Sequence, residues 1–128
     1  MEKNSNLILK GRIPSKKNSK MIICRGRFPL LLPQKNYGIW HKQAIIQLEP
    51  QIKKLKLEKV IEKCEIILRF FAPDLRIADL SNKAESVMDL LVDMKVLKDD
   101  NWFVVGNLNL KFGGLDRENP RVEIEIYE

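Results

Sequence analysis

The chain has 128 residues, 45% of them hydrophobic and 31% charged, which suits one globular domain in the cytoplasm rather than a membrane protein. No apolar run approaches the roughly 20 residues that span a bilayer, and the N-terminal residues lack the apolar region of a signal peptide. The net charge of +6 does not by itself indicate a polyanionic partner, whereas two distant cysteines and a single histidine exclude zinc knuckles, CxxC redox motifs and HExxH metal sites.

The N-terminal third is predicted to form short strands joined by basic loops. Residues 7–13 alternate partly between apolar and polar side chains, which predicts a strand. The stretch 14–19, Pro-Ser-Lys-Lys-Asn-Ser, is rich in turn-forming residues and predicts a polar loop. Residues 21–24 and 28–32 predict two further strands around Arg25-Gly26-Arg27, which we interpret as an exposed hairpin tip.

The middle of the chain is predicted to form a helix and then a strand. Apolar residues recur at helical spacing through residues 35–56. Pro50 is expected to kink or divide this helix, because its nitrogen cannot donate a hydrogen bond to the preceding turn. Residues 65–70 then predict a largely buried strand, and residues 72–76 predict a loop after it.

A second helix is predicted over residues 80–95, with Asp79 at or near its N-cap. On a helical wheel the apolar face comprises Leu80, Ala84, Val87, Leu91 and Met94. The opposite, polar face comprises Asn82, Glu85, Ser86, Asp89 and Asp93. This pattern predicts a helix that packs on the core with its acidic side in solvent.

The C-terminal quarter is predicted to be mostly extended. Residues 102–105 and 108–112 predict a strand after the polar turn at 98–101, and Gly113-Gly114 predicts a loop. Residues 122–127 alternate between apolar and mostly acidic side chains, which predicts a half-buried last strand with an acidic outer face. The elements together predict an α/β or α+β fold, a small mixed β-sheet with two main helices in a single domain.

Charge is divided unevenly along the chain. Residues 1–42 contain ten basic residues and one acidic residue, a net charge of +9, whereas residues 74–100 contain seven acidic and four basic residues, a net charge of −3. A basic surface beside an acidic segment suits a protein that attracts phosphates and collects divalent cations. The alternative is a generic basic surface with a solvated acidic helix. Since no Gly-rich phosphate loop is present, we expect no nucleotide cofactor.

Two acidic residues at the start of the second helix could share a divalent cation. Asp79 and Glu85 are separated by about 9 Å of helical rise, and Glu85 can lean back toward the N-terminus. Mg²⁺ prefers oxygen ligands, commonly one or two carboxylates with waters and substrate phosphate. Asp89 lies about 15 Å from Asp79 along a straight helix and cannot share its inner shell. The alternatives are an N-cap role for Asp79, a solvated helix face and a plain turn at 99–101.

Three segments resemble the signature of RusA-like endodeoxyribonucleases, a family of Holliday junction resolvases: Asp79-Leu80-Ser81-Asn82, the helix to Asp89-Leu90-Leu91, and Asp99-Asp100. The loop at 14–19 is similar to the P-S-x-N-x loop of the same family. The resemblance implies a homodimer that binds branched DNA and cuts it with Mg²⁺ or Mn²⁺. It also implies that Asp79 and Asp100 are metal-binding carboxylates, with Asn82 and Asp99 beside them.

Two positions depart from the pattern of this family. Ser81 stands where the pattern has a second aspartate, and Glu85 stands where the pattern often has a lysine. Positions four apart on a helix are neighbours, so our hypothesis is that Glu85 replaces the missing carboxylate. The missing positive charge could come from Lys83 or from the Lys16-Lys17 loop.

The sequence therefore predicts hydrolysis of DNA at an acidic site that binds one or two Mg²⁺ or Mn²⁺ ions. The predicted metal ligands are Asp79, Glu85, Asp99 and Asp100, and the predicted catalytic residues are Asp79, Glu85, Asp100 and Lys83. The predicted DNA contacts are Lys16, Lys17, Asn18, Arg25, Arg27, Arg76 and Asn82. The alternative is a module that binds branched DNA, or a replication partner, without cutting it.

Overall fold

The structure is a computed structural model that describes residues 3–15, 20–25, 28–33, 35–57 and 59–128. In chain order its elements are β1 (Lys3–Lys10), β2 (Lys20–Arg25), β3 (Phe28–Pro33), α1 (Lys35–Lys54), β4 (Cys64–Ala72), α2 (Leu80–Asp93), β5 (Val105–Leu115) and β6 (Arg121–Tyr127). These described elements form an α+β fold with two helices and a four-stranded mixed sheet, which confirms the predicted class. Neither of the described helices combines the length and the apolar character that a bilayer crossing requires.

The main sheet has the strand order β1-β6-β4-β5. Strand β6 pairs antiparallel with β1 on one side and with β4 on the other, whereas β4 pairs parallel with β5. A parallel pair needs a crossover connection, and α2 lies in the connection between β4 and β5. Strands β2 and β3 form the predicted antiparallel hairpin, separate from the main sheet.

Alternate residues of the central strands build the core. Val122, Ile124 and Ile126 of β6 are fully buried, which confirms the prediction for the last strand. Ile124 lies opposite Leu7 of β1 and opposite Leu68 of β4, so three strands contribute to one apolar layer. Helix α2 adds to the same core the buried side chains Ala84, Val87, Met88, Leu90 and Leu91. The apolar face of the second helix was thus predicted largely correctly.

Ion pairs cover the outer face of the sheet. Arg69 pairs with Glu125, whose carboxylate also accepts a hydrogen bond of 2.7 Å from the hydroxyl of Tyr127. Glu123 pairs with Arg121 at 3.1 Å. The acids of β6 lie on the predicted face, and arginines of β4 and β6 neutralise them.

Helix α1 closes the outer edge of β1. The side-chain amide of Gln51 accepts a hydrogen bond from the N–H of Ile8 and donates one to its carbonyl, both at 2.8 Å. Gln47 makes the same two bonds with Lys10, at 2.7 and 3.2 Å. These amides replace a neighbouring strand. Helix α1 continues through Pro50, so of the two predicted effects the division of the helix does not occur. Pro50 lies on the exposed side, where water can bond to the carbonyl group left without a donor.

Several element boundaries differ from the predictions, among them the ends of β1 and α2 and the start of β5. Strand β1 ends earlier, because Gly11 turns the chain with a φ of 97°. Helix α2 also ends earlier, and Lys95 adopts a φ of 60° beyond it. Residues 102–104 form a turn instead of a strand, in which the N–H of Phe103 bonds to the side chain of Asn101 at 3.0 Å.

Gly113 and Gly114 lie inside β5, not in the predicted loop. The parallel pairing places Gly114 opposite Phe71 and skips Gly113. A Cβ atom on Gly113 would lie 2.6 Å from Cζ of Phe71. The guanidinium of Arg121 stacks over the same Phe71 ring, 3.9 Å from its centroid. The close approach of the Phe71 ring explains why glycine suits this point of the strand.

We expect Gly113→Ala to lower the free energy of unfolding by about 1–3 kcal/mol, because the Phe71 ring and the arginine stacked on it must move. Urea denaturation followed by circular dichroism measures the change. Gly106→Ala is the matched control in the same strand, since no atom lies within 4 Å of its Cβ position. Equal stabilities of the two variants would contradict this assignment.

The Cys64 thiol is free and buried, and burial is the main cause that raises its pKa to about 11. The side chain of Cys24 is outside the described part of the structure.

Candidate functional site

A cleft of about 720 Å³ lies between the end of β4, the loop 73–79 and the segment 12–15 that follows β1. Helix α2 begins in this cleft, beyond the carboxyl end of β4, which is a common place for ligand sites in parallel α/β units. Its charged lining residues are Arg12, Asp74, Arg76, Asp79, Lys83 and Arg121. Four are cationic and two are anionic, so the cleft favours an anionic ligand.

Asp74 orients two of the arginines. Its Oδ2 accepts hydrogen bonds from Nη2 of Arg12 at 2.8 Å and from Nη2 of Arg76 at 2.9 Å. Its Oδ1 accepts the backbone N–H of Arg76 at 3.0 Å. The hydrogen bonds from Arg76, and the nearby charge of Arg12, lower the pKa of Asp74 to about 2. The carboxylate is therefore ionised at neutral pH, and it restrains two guanidinium groups at one rim of the cleft.

The segment that precedes the predicted basic loop is anchored to α2. The ammonium of Lys83 donates to the carbonyl of Ile13, and the hydroxyl of Ser86 donates to the carbonyl of Pro14 at 2.7 Å. Burial, followed by the charges of Arg12 and Arg76, lowers the pKa of Lys83. Ser86 is fully buried, so its predicted place on the polar face is wrong. The physical reason is that a distant backbone carbonyl satisfies its hydroxyl.

We expect Ser86→Ala to lower the free energy of unfolding by about 1–2 kcal/mol, because the carbonyl of Pro14 loses its buried donor. Chemical denaturation measures this loss. Ser81→Ala, at an exposed serine of the same helix, is the control and should change stability by less than about 0.5 kcal/mol. A Ser86→Ala protein as stable as this control would contradict the anchoring role.

Arg121 forms the other side of the cleft. Beside its stacking on Phe71, it donates to Asp116 at 2.8 Å and to Glu123 at 3.1 Å. The sequence prediction did not include Arg12, Asp74 or Arg121. No local motif marks these residues. They come together through the pairing of β1 with β6, which places Lys10 opposite Arg121 although the two residues are far apart in the sequence.

Asp79 and Asn82 lie together at the start of α2. Asp79 occupies the predicted N-cap position, but its side chain makes no capping hydrogen bond. Instead, the side-chain amide of Asn82 donates a long hydrogen bond of 3.4 Å to Oδ2 of Asp79. Glu85, one turn further along, is exposed. Asp79 is thus a lining residue of the cleft whose side chain does not cap its own helix.

A second group of acids surrounds the turn before β5. Asp99 accepts hydrogen bonds from the N–H of Asp100 at 2.8 Å and from the amide of Asn101 at 3.0 Å, which lower its pKa. Burial is the largest cause that raises the pKa of Asp100, followed by a hydrogen bond with Asp99 and by the charges of Asp99 and Asp89. The carboxylate of Asp100 therefore lies in a negative environment, to which Asp89 of α2 contributes.

The predicted site residues thus occupy more than one place. Asp79 and Arg76 line the cleft together with Lys83, whereas Asp99 lines a separate cavity of about 450 Å³. Among the residues that the structure describes, no three His, Cys, Asp or Glu side chains form a group suited to bind a metal ion. Mg²⁺ commonly takes only one or two protein carboxylates, so the donor chemistry of Asp79 fits such an ion when substrate phosphate completes the shell.

The predicted DNA contacts in the N-terminal region are largely outside the described residues. These are Lys16, Lys17, Asn18 and Arg27, together with the side chain of Arg25. The described segment that ends at Ser15 lines the cleft, and Lys16 and Lys17 follow it directly in the sequence.

No protein-family model matches the chain, and no curated protein matches it.

Proposed function

We propose that the chain is a Mg²⁺- or Mn²⁺-dependent endodeoxyribonuclease that cleaves branched DNA as a homodimer in the cytoplasm. The observation that carries this proposal is the cleft at the start of α2. It combines four cationic side chains with the carboxylate of Asp79. A phosphodiester attracted by the cations would lie beside that carboxylate, which is the arrangement that metal-assisted hydrolysis of a phosphodiester requires.

The residues of the cleft suit a DNA phosphate. Arg12 and Arg76 are held by Asp74, so little side-chain entropy is lost when their remaining N–H groups bind phosphate oxygens. The first backbone N–H groups of α2 carry partial positive charge and lie in the same cleft. The anchored segment 13–15 leads into Lys16 and Lys17, which would contact further phosphates along the strand.

Asp79 is the residue that would bind the metal ion in this cleft, with Asn82 beside it. When bound, the ion would lower the pKa of a water molecule and neutralise charge on the phosphate. Glu85 lies on the exposed side of the same helix and is the proposed substitute for the carboxylate that Ser81 lacks. Asp100 would contribute from the turn before β5, where Asp99 lines the separate cavity and accepts a hydrogen bond from the N–H of Asp100. Lys83, whose ammonium lies at the wall of the cleft, would stabilise negative charge on the reacting phosphate.

The preference for a branch over a linear duplex rests on the elements that surround the cleft. The exposed side of α2 carries the carboxylates of Glu85 and Asp93, which DNA phosphates repel, so this helix is not suited to enter a major groove. Binding would then depend on phosphate position more than on base sequence. Two identical sites related by a two-fold axis would match the two like strands of a four-way junction.

A second function, binding of branched DNA without cleavage, is favoured by one observation. The described residues contain no group of three potential metal ligands, and Ser81 has no carboxylate to add. In that case the cationic cleft would act alone, and its affinity for DNA would not require Asp79.

A gel assay with a four-way junction, a flap, a linear duplex and a single strand of matched sequence tests these proposals at fixed salt. We expect paired, near-symmetric nicks in the junction with Mg²⁺ or Mn²⁺, none with a chelator, and much slower cutting of the duplex. Efficient cutting of the duplex would contradict junction specificity. Tight binding to the junction with no nicks in Mg²⁺ or in Mn²⁺ would indicate that the chain binds branched DNA without cutting it.

A further inference from the structure

Strand β5 lies at one end of the sheet and has an apolar surface that the rest of the described chain leaves uncovered. Five large hydrophobic side chains of residues 102–115 expose between 40% and 80% of their surface: Trp102, Phe103, Leu108, Phe112 and Leu115. No described strand pairs with the outer edge of β5, whereas Gln47 and Gln51 already bond to the outer edge of β1. The sheet therefore has one closed edge and one edge able to accept a strand.

The exposed residues of β5 extend the core face of the sheet. The parallel pairing places Leu108, Leu110 and Phe112 beside Ile66, Leu68 and Phe70, which are all buried. Lys111 is the single charged residue of the strand. A partner suited to this edge has apolar side chains on the same face and no positive charge opposite Lys111.

A second copy of β5 meets both requirements. In an antiparallel pair centred on Leu110, Leu108 of one copy faces Phe112 of the other, and Lys111 faces Asn109. An edge strand directs the N–H and C=O groups of alternate residues outward, so a two-fold pair must place one residue opposite its own copy. Centring on Lys111 would oppose two like charges, and centring on Asn109 would separate Phe112 from Leu108.

The irregularities of β5 limit this pairing to two copies. Pairing with β4 skips Gly106 and Gly113, so the regular part of the edge is residues 107–112, which contains every pair of the register centred on Leu110. Once two β5 edges have paired, the outer edges of the joined sheet are the two β1 strands. Helix α1 closes each of these, so association stops at a dimer instead of continuing into a fibre.

We propose that two copies of the chain associate through β5, antiparallel about Leu110, and join their four-stranded sheets into one continuous sheet. The inference names the surface of the homodimer that the proposed function includes, and it requires neither metal nor DNA. Because Phe112 also lines the cleft, the partner's Leu108 would complete the rim of each cleft. The two clefts would thereby be fixed relative to one another by the sheet.

Sedimentation analysis over a dilution series tests the surface. We expect a dimer for the unmodified chain, and at least about a tenfold weaker dimer for Leu108→Lys, which brings an unpaired ammonium into the apolar contact. Ile46→Lys is the matched control, because Ile46 is exposed on α1, away from β5, and it should leave the dimer unchanged. Circular dichroism melts confirm that both variants fold. A monomeric unmodified chain at tens of micromolar, or a Leu108→Lys dimer of unchanged affinity, would overturn the proposal.

Cross-linking tests the register. Asn109→Cys and Lys111→Cys chains, mixed in equal amounts and oxidised, should form a disulfide-linked dimer, whereas neither variant alone should do so. Cross-linking of Asn109→Cys alone or of Lys111→Cys alone would overturn the register centred on Leu110. A chain that dimerises in this way without cutting DNA would contradict only the proposed cleavage. An active monomer would contradict this interface and the homodimer of the proposed function, but not cleavage itself.

Discussion

We expect Asp79→Asn to cleave a four-way junction at least about 100-fold more slowly than the unmodified chain. This loss is larger than the loss usually caused by mutating a residue that only hydrogen-bonds to a metal ligand. Asparagine keeps the size of the side chain and the contact with Asn82, but it removes the charge that would attract a cation. DNA affinity should stay equal or increase, because the cleft loses a carboxylate that repels phosphate. Single-turnover cleavage in Mg²⁺ and binding measured in a chelator separate the two effects.

Asp93→Asn is the matched control for this variant. Asp93 is the last residue of α2, at the opposite end from Asp79, and its carboxylate contacts His41 at 3.0 Å. The same chemical change there should leave the cleavage rate within about a factor of three. A fully active Asp79→Asn enzyme would remove Asp79 from the metal site. Equal losses for both variants would attribute the effect to the charge of the whole helix.

Glu85 distinguishes two arrangements of the site. If Glu85 supplies the carboxylate that Ser81 lacks, Glu85→Gln should reduce cleavage about as much as Asp79→Asn does. Adding Ser81→Asp to Glu85→Gln should then restore part of the activity, because the carboxylate returns one helical turn away. Normal cleavage by Glu85→Gln would indicate that Glu85 is an exposed helix residue with no role in metal binding. The second carboxylate ligand of the ion would then be Asp99 or Asp100.

Periodicity alone was sufficient for the elements in which one face meets the core. The alternation in β6 and the apolar face of α2 predicted correctly that Val122, Ile124, Val87 and Leu91 are buried. In both elements the side-chain direction follows from the backbone period, and burial follows from side-chain direction. The helix start at Asp79 was also predictable, since its position depends on the local sequence.

The remaining features depend on contacts between distant segments. Ser86 is buried because the carbonyl of Pro14 accepts its hydrogen bond, and no local sequence pattern predicts this hydrogen bond. Gly113 lies in a strand because β4 continues beside it and places the ring of Phe71 at its Cα. The cationic side of the cleft forms only when β1 pairs with β6, because this pairing brings Arg121 near Arg12. Sequence motifs therefore indicated Asp79, Arg76 and Lys83 among the charged residues of the cleft, and missed Arg12, Asp74 and Arg121.

Divalent cations should stabilise the folded chain against heat, and this effect should depend on Asp100. A ligand present at about 100 times its dissociation constant stabilises the folded state by about 2.7 kcal/mol. We expect a stabilisation of this size with Mn²⁺ for the unmodified chain and none for Asp100→Asn, if Asp100 contributes to the ion site. The readout is the melting temperature with and without Mn²⁺ and needs no DNA.

Without metal, Asp99→Asn and Asp100→Asn should change stability in opposite directions. The pKa of Asp100 is raised in the folded chain, by burial first and then by Asp99 and Asp89, so its ionised form costs stability at neutral pH and asparagine removes that cost. The pKa of Asp99 is lowered by hydrogen bonds from Asp100 and Asn101, so its ionised form contributes stability above the ordinary pKa of an aspartate, and asparagine removes that contribution. A lower melting temperature for Asp100→Asn than for the unmodified chain in chelator would contradict the repulsion among these acids. A Mn²⁺ shift that survives in Asp100→Asn would place the ion elsewhere, at Asp79 without help from the turn before β5.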